Sequence, residues 1–428
     1  MSKQKLVLVG NGMAGVRTLE ELIKLAPNAY DITVLGAEPH PNYNRIQLSL
    51  VLAGEQCLED TVLHPLSWYE SHGITLRRNT RAIRVDRERQ WVETQDGATV
   101  PYDRLLLATG SVPIRLPVPG SHLGGVVTYR DMADTQHMLD AAASGGRAVV
   151  IGGGVLGLEA ANGLMLRGMD VTVVHLAPWL MERQLDRRAA QLLQDALMQR
   201  GLKFRLGAST EALLPDAGAD GCPQVAGVRL NGGEVLPANL VVMAVGIRPN
   251  TVLAEHMELE CQRGVVVTDT LQSVSDPHIY AVGECASHRG VCHGLVAPLY
   301  EQAKVAAEHL AGIAHARYTG SQVSTKLKVT GVDVFSAGDF LGDEDCEHIL
   351  LSNPFEGSYR RLVLRDDRLV GACLYGDVTD GHRFLEMIQS ARNVGDLRDH
   401  LAFGVRPSAR MKADFHGTAA LQQAVCAP

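Results

Sequence analysis

The sequence predicts an α/β chain with two doubly wound parallel-sheet units, one inserted in the other, and a smaller α+β module toward the C-terminal end. Three observations predict it. An apolar strand, a glycine turn, an amphipathic helix and a second strand follow one another twice, in "KLVLVGNGMAGVRTLEELIKL" with "DITVLGAE" and in "RAVVIGGGVLGLEAANGLMLRG" with "MDVTVVHLAP". Two glycine- and proline-marked crossings, "LLLATGSVPIRLPVPG" and "AVGIRPNT", bracket the second copy. From about Thr325 the pattern turns into short strands and then one helix.

The elements follow in chain order. Residues 5–25 hold a buried strand and its helix. The strand "RLLLATG" ends at Gly110, where the chain crosses to the inserted unit, residues 113–243. The return strand reaches Gly246, "IYAVGECASH" supplies a further strand and turn, and "APLYEQAKVAAEHLAGI" has helical apolar spacing. The stretches "TKLKVTGVDVFSAG" and "YRRLVLRDDRLVGACLYG" read as strands, and "GHRFLEMIQSAR" as the helix of the α+β module, residues 325–403. Residues 404–428 carry no periodicity and are expected to form a flexible tail.

Both turns match the Rossmann spacing of dinucleotide-binding units. In Gly10-Asn11-Gly12-Met13-Ala14-Gly15 the first glycine makes the tight turn and the second admits a pyrophosphate to the backbone. The third lets the helix pack on the strand. Gly152, Gly154 and Gly157 repeat the arrangement. In each, a phosphate would sit at the positive end of a helix, and Glu38, just past the second strand, is placed to accept from ribose hydroxyls. Two such turns imply two dinucleotides.

Composition narrows the rest. The net charge of −8 gives a nucleic-acid partner no electrostatic support, and no window offers the roughly 18 apolar residues of a membrane span. Lys3 and Lys5 ahead of an apolar run mimic a secretion signal, but the run breaks into a glycine turn. Eight scattered cysteines without a C-x-x-C pair suit a reducing compartment, so a cytoplasmic location is expected. The cluster Cys285, His288, Cys292 and His293 lies in one loop, unlike zinc ligands that come as separated pairs, and no metal is expected.

With both turns in place, "LLLATGS", "AVGIRPN" and "IYAVGECA" resemble the crossings and the flavin strand of the twin-fold flavoprotein reductases of the pyridine nucleotide-disulfide oxidoreductase type. The resemblance implies two Rossmann-like domains of glutathione-reductase type. FAD would lie on residues 1–112 and 244–324, with Gly10, Gly12, Gly15, Glu38, Arg45, Thr109, Gly110, Gly283 and Glu284 in contact. An aspartate usually stands at position 284 in that family. A nicotinamide cofactor would lie on residues 113–243, with Gly152, Gly154, Gly157, Glu159 and Gly246. The flavin would do the chemistry, with Glu159 as the one candidate catalytic side chain.

The stretch "NYNRIQLSLVLAGE" selects a branch. Thiol-dependent members carry a cysteine after this serine, and rubredoxin- and ferredoxin-reductase members a lysine; here Leu50 stands there. Cys57 is the nearest substitute thiol. "GAEPHPNYNRI", "WLMERQLD", "AVGECASHRG", "GLVAPLY", "STKLKVTGVDV" and "VGACLYGDVTD" resemble the N-terminal reductase part of assimilatory NAD(P)H-nitrite reductase large subunits and the electron-transfer subunits of assimilatory nitrate reductase. Those large subunits continue into cysteine-rich and sirohaem segments, whereas this sequence ends with Cys426 as its last cysteine. The expected acceptor is therefore a separate protein, a nitrate or nitrite reductase catalytic subunit, with rubredoxin or ferredoxin as the alternative. A redox sensor and an NADH oxidase are the remaining readings. At the end of the second unit's strand His175 stands where NAD-binding relatives place an acid. NADH is expected, with NADPH as the alternative. The resemblance leaves two roles open for the C-terminal module, forming a homodimer as in relatives or covering the flavin.

Overall fold

The structure, a computed structural model, describes residues 3–217, 222–321, 324–329 and 331–403; the expected flexible tail lies outside them. Contacts divide the chain into two compact units, one of Met1–Met181 with Gln194–Val323 and one of Glu182–Leu193 with the residues from Ser324 onward.

The first unit is built on two parallel sheets. One orders its strands Ile279–Ala281, Arg104–Leu107, Gln4–Val9, Tyr30–Leu35 and Thr75–Arg77. Its strands are near-continuous apolar runs because a parallel sheet is covered on both faces: Leu6, Leu8, Leu105, Leu106 and Leu107 are all buried. Full burial of each such side chain contributes about 1.5–3 kcal/mol. Helix Met13–Leu25 packs against helix Val296–Leu310, so residues far apart in sequence close one layer.

The other sheet orders Val126–Thr128, Leu240–Met243, Arg147–Ile151, Asp170–His175 and Lys203–Leu206, again all parallel. It interrupts the first, because the strand Ile279–Ala281 belongs to the earlier sheet. The two crossings lie side by side, Ser111–Pro113 pairing antiparallel with Ile247–Pro249.

The second unit is a five-stranded antiparallel sheet in the order Ser324–Val329, Val332–Gly338, Arg368–Tyr375, Ser358–Arg365, Glu347–Asn353. Helix Gly381–Ser390 lays Phe384 and Met387 on Phe335, Leu362 and Leu374. Gly381 permits the approach, since a Cβ there would stand 2.8 Å from the Phe335 ring. The segment Glu182–Leu193 belongs to this unit. In it buried Asp186 accepts from the Tyr359 hydroxyl (2.6 Å), from Arg361 (3.3 Å) and from the Ala189 amide (2.9 Å), the last bond capping a helix start.

Candidate functional site

The two glycine turns repeat each other atom for atom in their supports. The Gly10 amide donates to the Leu35 carbonyl (2.9 Å) and the Ala108 amide to Val9 (2.9 Å). In the second unit the Gly152 amide donates to Val174 (2.8 Å) and the Ala244 amide to Ile151 (2.8 Å). Gly10 has φ +107° and Gly152 φ +124°, a region that side chains with a Cβ rarely adopt. A Cβ on either would stand 2.2 Å from a carbonyl oxygen, of Ala108 or of Ala244. Gly15 meets Ala108 and Leu8, and Gly157 meets the Gly152 oxygen, so both third glycines are packing positions.

The middle glycines differ in kind. Gly12 and Gly154 cap the helices Met13–Leu25 and Val155–Leu166 with extended backbone and without any side-chain bond to the first amides. A Cβ at either would meet nothing within 4 Å. Each helix therefore opens onto space with uncapped N–H groups, the arrangement that receives a phosphate. Beside the first turn, the Asn11 side chain accepts from the Tyr69 hydroxyl at 2.8 Å, while its buried amide nitrogen has no partner among the described residues. A buried donor without an acceptor is costly, and a phosphate or ribose oxygen would satisfy it. These residues fit a dinucleotide at each turn.

Around the first turn, Glu38 accepts from the Tyr43 hydroxyl (2.7 Å) and from Arg45, whose other terminal nitrogen donates to the Arg130 carbonyl (3.1 Å). Thr109 donates to the Asn250 carbonyl (2.7 Å), and the Asn250 amide returns a bond to Gly110 (2.9 Å), tying the two crossings together. Gly110, at φ +66°, lies against Arg130 and Glu284. The Glu284 carboxylate accepts from Ser111 (2.8 Å) and pairs with the Arg130 guanidinium. Gly283 is held by the Gln302 side chain at 2.9 Å, and a Cβ on it would press on Ala14 of the first helix at 3.0 Å. The sequence alone does not mark Arg130, Ser111 or Asn11 as site residues. Arg130 is 154 residues from its acid, and no local pattern announces such a pair.

Glu159 lies two residues past Gly157, on a helix packed against the short helix Leu48–Ala53. Gly163 allows that approach, since a Cβ there would meet Leu52 at 2.7 Å. Arg167 donates to the carbonyls of Leu52 and Val51, both at 3.0 Å, and so caps the shorter helix. Burial pushes the Glu159 carboxyl up to about 7, against an opposing hydrogen bond with Ser49. The nearby Tyr129 phenol is pushed up by burial and then by Glu159, and its hydroxyl has no partner among the described residues. Leu50, in the short helix, brings neither thiol nor ammonium to this cluster. Gly246, at φ +113°, receives the Ile114 amide at its carbonyl (2.9 Å).

The loop with Cys285, His288, Cys292 and His293 forms no ligand set. Buried Cys285 donates to the Val282 carbonyl (3.3 Å), and buried His288 bonds Asp269 (2.8 Å). Among the described residues no three His, Cys, Asp or Glu side chains gather to hold a metal. No described helix is long and apolar enough to cross a membrane.

Comparison with known proteins gives the same architecture. Residues 4–309 match the pyridine nucleotide-disulphide oxidoreductase family, and residues 324–392 match the rubredoxin NAD+ reductase C-terminal domain. The chain is 51% identical to nitrite reductase [NAD(P)H] of Bacillus subtilis, over 92% of this chain and 48% of that protein. It is 44% identical to the assimilatory nitrate reductase electron transfer subunit of the same organism, over 92% of this chain and 50% of that protein. The chain thus spans about half the length of these curated relatives. The solved complex of putidaredoxin reductase with putidaredoxin matches with a TM-score of 0.84 at 26% identity, over 98% of this chain and 100% of that one. Two Rossmann-like turns on interleaved parallel sheets, followed by this C-terminal module, place the chain among the oxidoreductases: it belongs to the pyridine nucleotide-disulphide oxidoreductase family.

Proposed function

We propose that the protein carries electrons from NADH, held at the second glycine turn, through FAD, held at the first, to a nitrate or nitrite reductase catalytic subunit. NADPH is the alternative donor. The observation that carries the reading is the repeated turn, in which Gly12 and Gly154 leave two helix N-termini open within one unit. The flavin part comprises 1–112 and 244–324, the nicotinamide part 113–243, and the interface module 325–403. When bound, FAD supplies the step between a two-electron hydride donor and one-electron acceptors. The chain's residues bind and orient: Gly12 and Asn11 receive the flavin dinucleotide's phosphates on the turn that Gly10 shapes and Gly15 packs, Glu38 and Arg45 its adenosine end, and Thr109, Gly110, Gly283 and Glu284 its ribityl side. Gly154 and Gly246 receive the nicotinamide dinucleotide on the turn that Gly152 shapes and Gly157 packs, and Glu159 holds a proton where its helix meets the helix Leu48–Ala53. Bringing two bound rings into near-attack contact is the main catalytic contribution of such a scaffold.

The names of the relatives support the acceptor. A rubredoxin or ferredoxin is the second reading, favoured by the C-terminal match and by 26% identity to the NADH-rubredoxin oxidoreductase of Clostridium acetobutylicum, 97% of which is covered. The seven described cysteines are all free, which suits the cytoplasm, and a homodimer through the interface module completes the proposal. Anaerobic stopped-flow reduction with NADH or NADPH, followed by mixing with the purified catalytic subunit, tests it. Bleaching and then reoxidation by that subunit is expected. Bleaching without reoxidation removes this acceptor. Rapid turnover with oxygen alone points to an oxidase, and no bleaching with either donor points to a sensor.

A further inference from the structure

The Tyr129 hydroxyl is buried, polar and unpaired, and it has no task in electron transfer as proposed above. Tyr129 is 3% exposed, and its oxygen has no hydrogen-bond partner among the described residues. A buried hydroxyl of this kind loses its hydration and gains nothing in return, so phenylalanine would serve better as mere core.

The backbone on both sides of Tyr129 is clamped. Tyr129 directly follows the strand Val126–Thr128. One carboxylate oxygen of Asp134 accepts from the Thr128 hydroxyl (3.0 Å) and from the Arg130 amide (2.8 Å). Asp134 is itself fixed in the first turn of the helix Met132–Ala143, where its amide donates to the capping Asp131 carboxylate (2.9 Å). The next residue, Arg130, pairs with Glu284 and gives its carbonyl to Arg45, both assigned above to the flavin. The Tyr129 phenol meanwhile lies within electrostatic reach of Glu159, on the helix that opens the second turn. Glu159 bonds Ser49 and leaves the Tyr129 hydroxyl unpaired. Tyr129 thus stands between a group assigned to one dinucleotide and a group assigned to the other.

Resting on the assignment of the two turns to FAD and a nicotinamide dinucleotide, we infer that Tyr129 is a further cofactor-binding residue, whose hydroxyl donates to an amide-type carbonyl oxygen on the redox ring of a bound dinucleotide. The flavin ring and the nicotinamide carboxamide both offer such an oxygen. A phenol donates without bringing a charge into a buried site. The clamp fixes its direction beforehand, so little rotamer freedom is lost on binding.

Tyr129→Phe in the full chain removes the hydroxyl and keeps the ring. Two readouts without turnover test it: the dissociation constants of FAD and of NAD+, and difference infrared spectra of the variant against the wild type. The constant for one dinucleotide should rise about threefold to tenfold, the loss of one neutral hydrogen bond. The carbonyl stretch of that same dinucleotide should move to higher frequency as it loses its donor. A shift of the flavin carbonyl without NAD+ present identifies the flavin as acceptor. A shift seen only after NAD+ is added, in the carboxamide band, identifies the nicotinamide. Both constants within about twofold of the wild type, or weakened binding with neither carbonyl band displaced, overturns the inference alone. A wild type that binds neither FAD nor NAD+ overturns the assignment of the two turns and the inference with it.

Discussion

Alanine at Gly152 and alanine at Gly154 should have opposite consequences, although the two glycines are two residues apart. At Gly152 the backbone is at φ +124°, where a Cβ costs about 1–2 kcal/mol before any contact is considered. That Cβ would also stand 2.2 Å from the Ala244 oxygen, well inside contact distance. Relief requires moving the strand end whose amide at Ala244 bonds Ile151, in the centre of the second sheet. Together these place Gly152→Ala at about 4 kcal/mol or more, among the severe single substitutions, and roughly 10 °C in the melting of this part. Gly154 has ordinary extended backbone (φ −81°) and open space around its missing Cβ. Gly154→Ala should therefore cost at most about 1 kcal/mol, the penalty of alanine at a helix N-cap. Its methyl group would occupy the space proposed for the pyrophosphate, so nicotinamide binding should fall at least about tenfold, equivalent to about 1.4 kcal/mol. Thermal melts followed by flavin fluorescence and far-UV dichroism, with NAD+ titration of each variant, separate the two effects. A Gly152→Ala protein that melts with the wild type, or a Gly154→Ala protein that binds the dinucleotide normally, would refute the division of labour within the turn.

Further outcomes follow from the same structure. The Glu159 carboxyl titrates at about 7 in the folded chain against an ordinary 4.5, so its contribution to stability is complete below about pH 4.5 and is lost as pH rises toward 7, by about 3 kcal/mol. Glu159→Gln should flatten that loss, matching the wild type near pH 4 and exceeding it near pH 8 in urea denaturation; parallel pH profiles for the two proteins would mean the carboxyl is not buried as described. Glu284→Ala removes the partner of Arg130 and the acceptor of Ser111. It should lower the flavin-to-protein absorbance ratio of the purified protein, and full flavination would remove Glu284 from the FAD site. Asp186→Ala, in the second unit, strips Tyr359 and Arg361 of a buried acceptor and one helix start of its cap. It should destabilise that unit by about 3 kcal/mol, read as an earlier transition in calorimetry, and an unshifted transition would show that water replaces the carboxylate.

What could be read without coordinates is what local chemistry dictates. A glycine turn between an apolar strand and a helix announces itself because positive φ at Gly10 and Gly152 and close approach at Gly15 and Gly157 exclude side chains there. The alternation of strand and helix around those turns likewise implies parallel sheets, since a helical crossover has to return the chain in the same direction. The change of pattern near Thr325 marks the antiparallel sheet for the same reason of periodicity.

Pairings across long sequence separation were decided only in three dimensions. Glu284 is visible in "AVGECA", but its partner Arg130 follows the strand Val126–Thr128 of the second sheet, and a charge pair leaves no trace in the spacing of either segment. Glu159 is visible as an acid after a fingerprint. Its raised titration comes from burial in the tertiary fold, against an opposing hydrogen bond with Ser49 of the helix Leu48–Ala53, because desolvation is a property of surroundings rather than of residue type. His175 stands in the sequence as a missing acid, and the bond its Nδ1 accepts from the Gly153 amide appears only in the structure. The segment Glu182–Leu193 follows the second turn in sequence yet packs with the C-terminal sheet through Asp186. Periodicity records how a chain folds onto itself locally, while burial and partnership depend on which distant segments the tertiary fold brings to the same place.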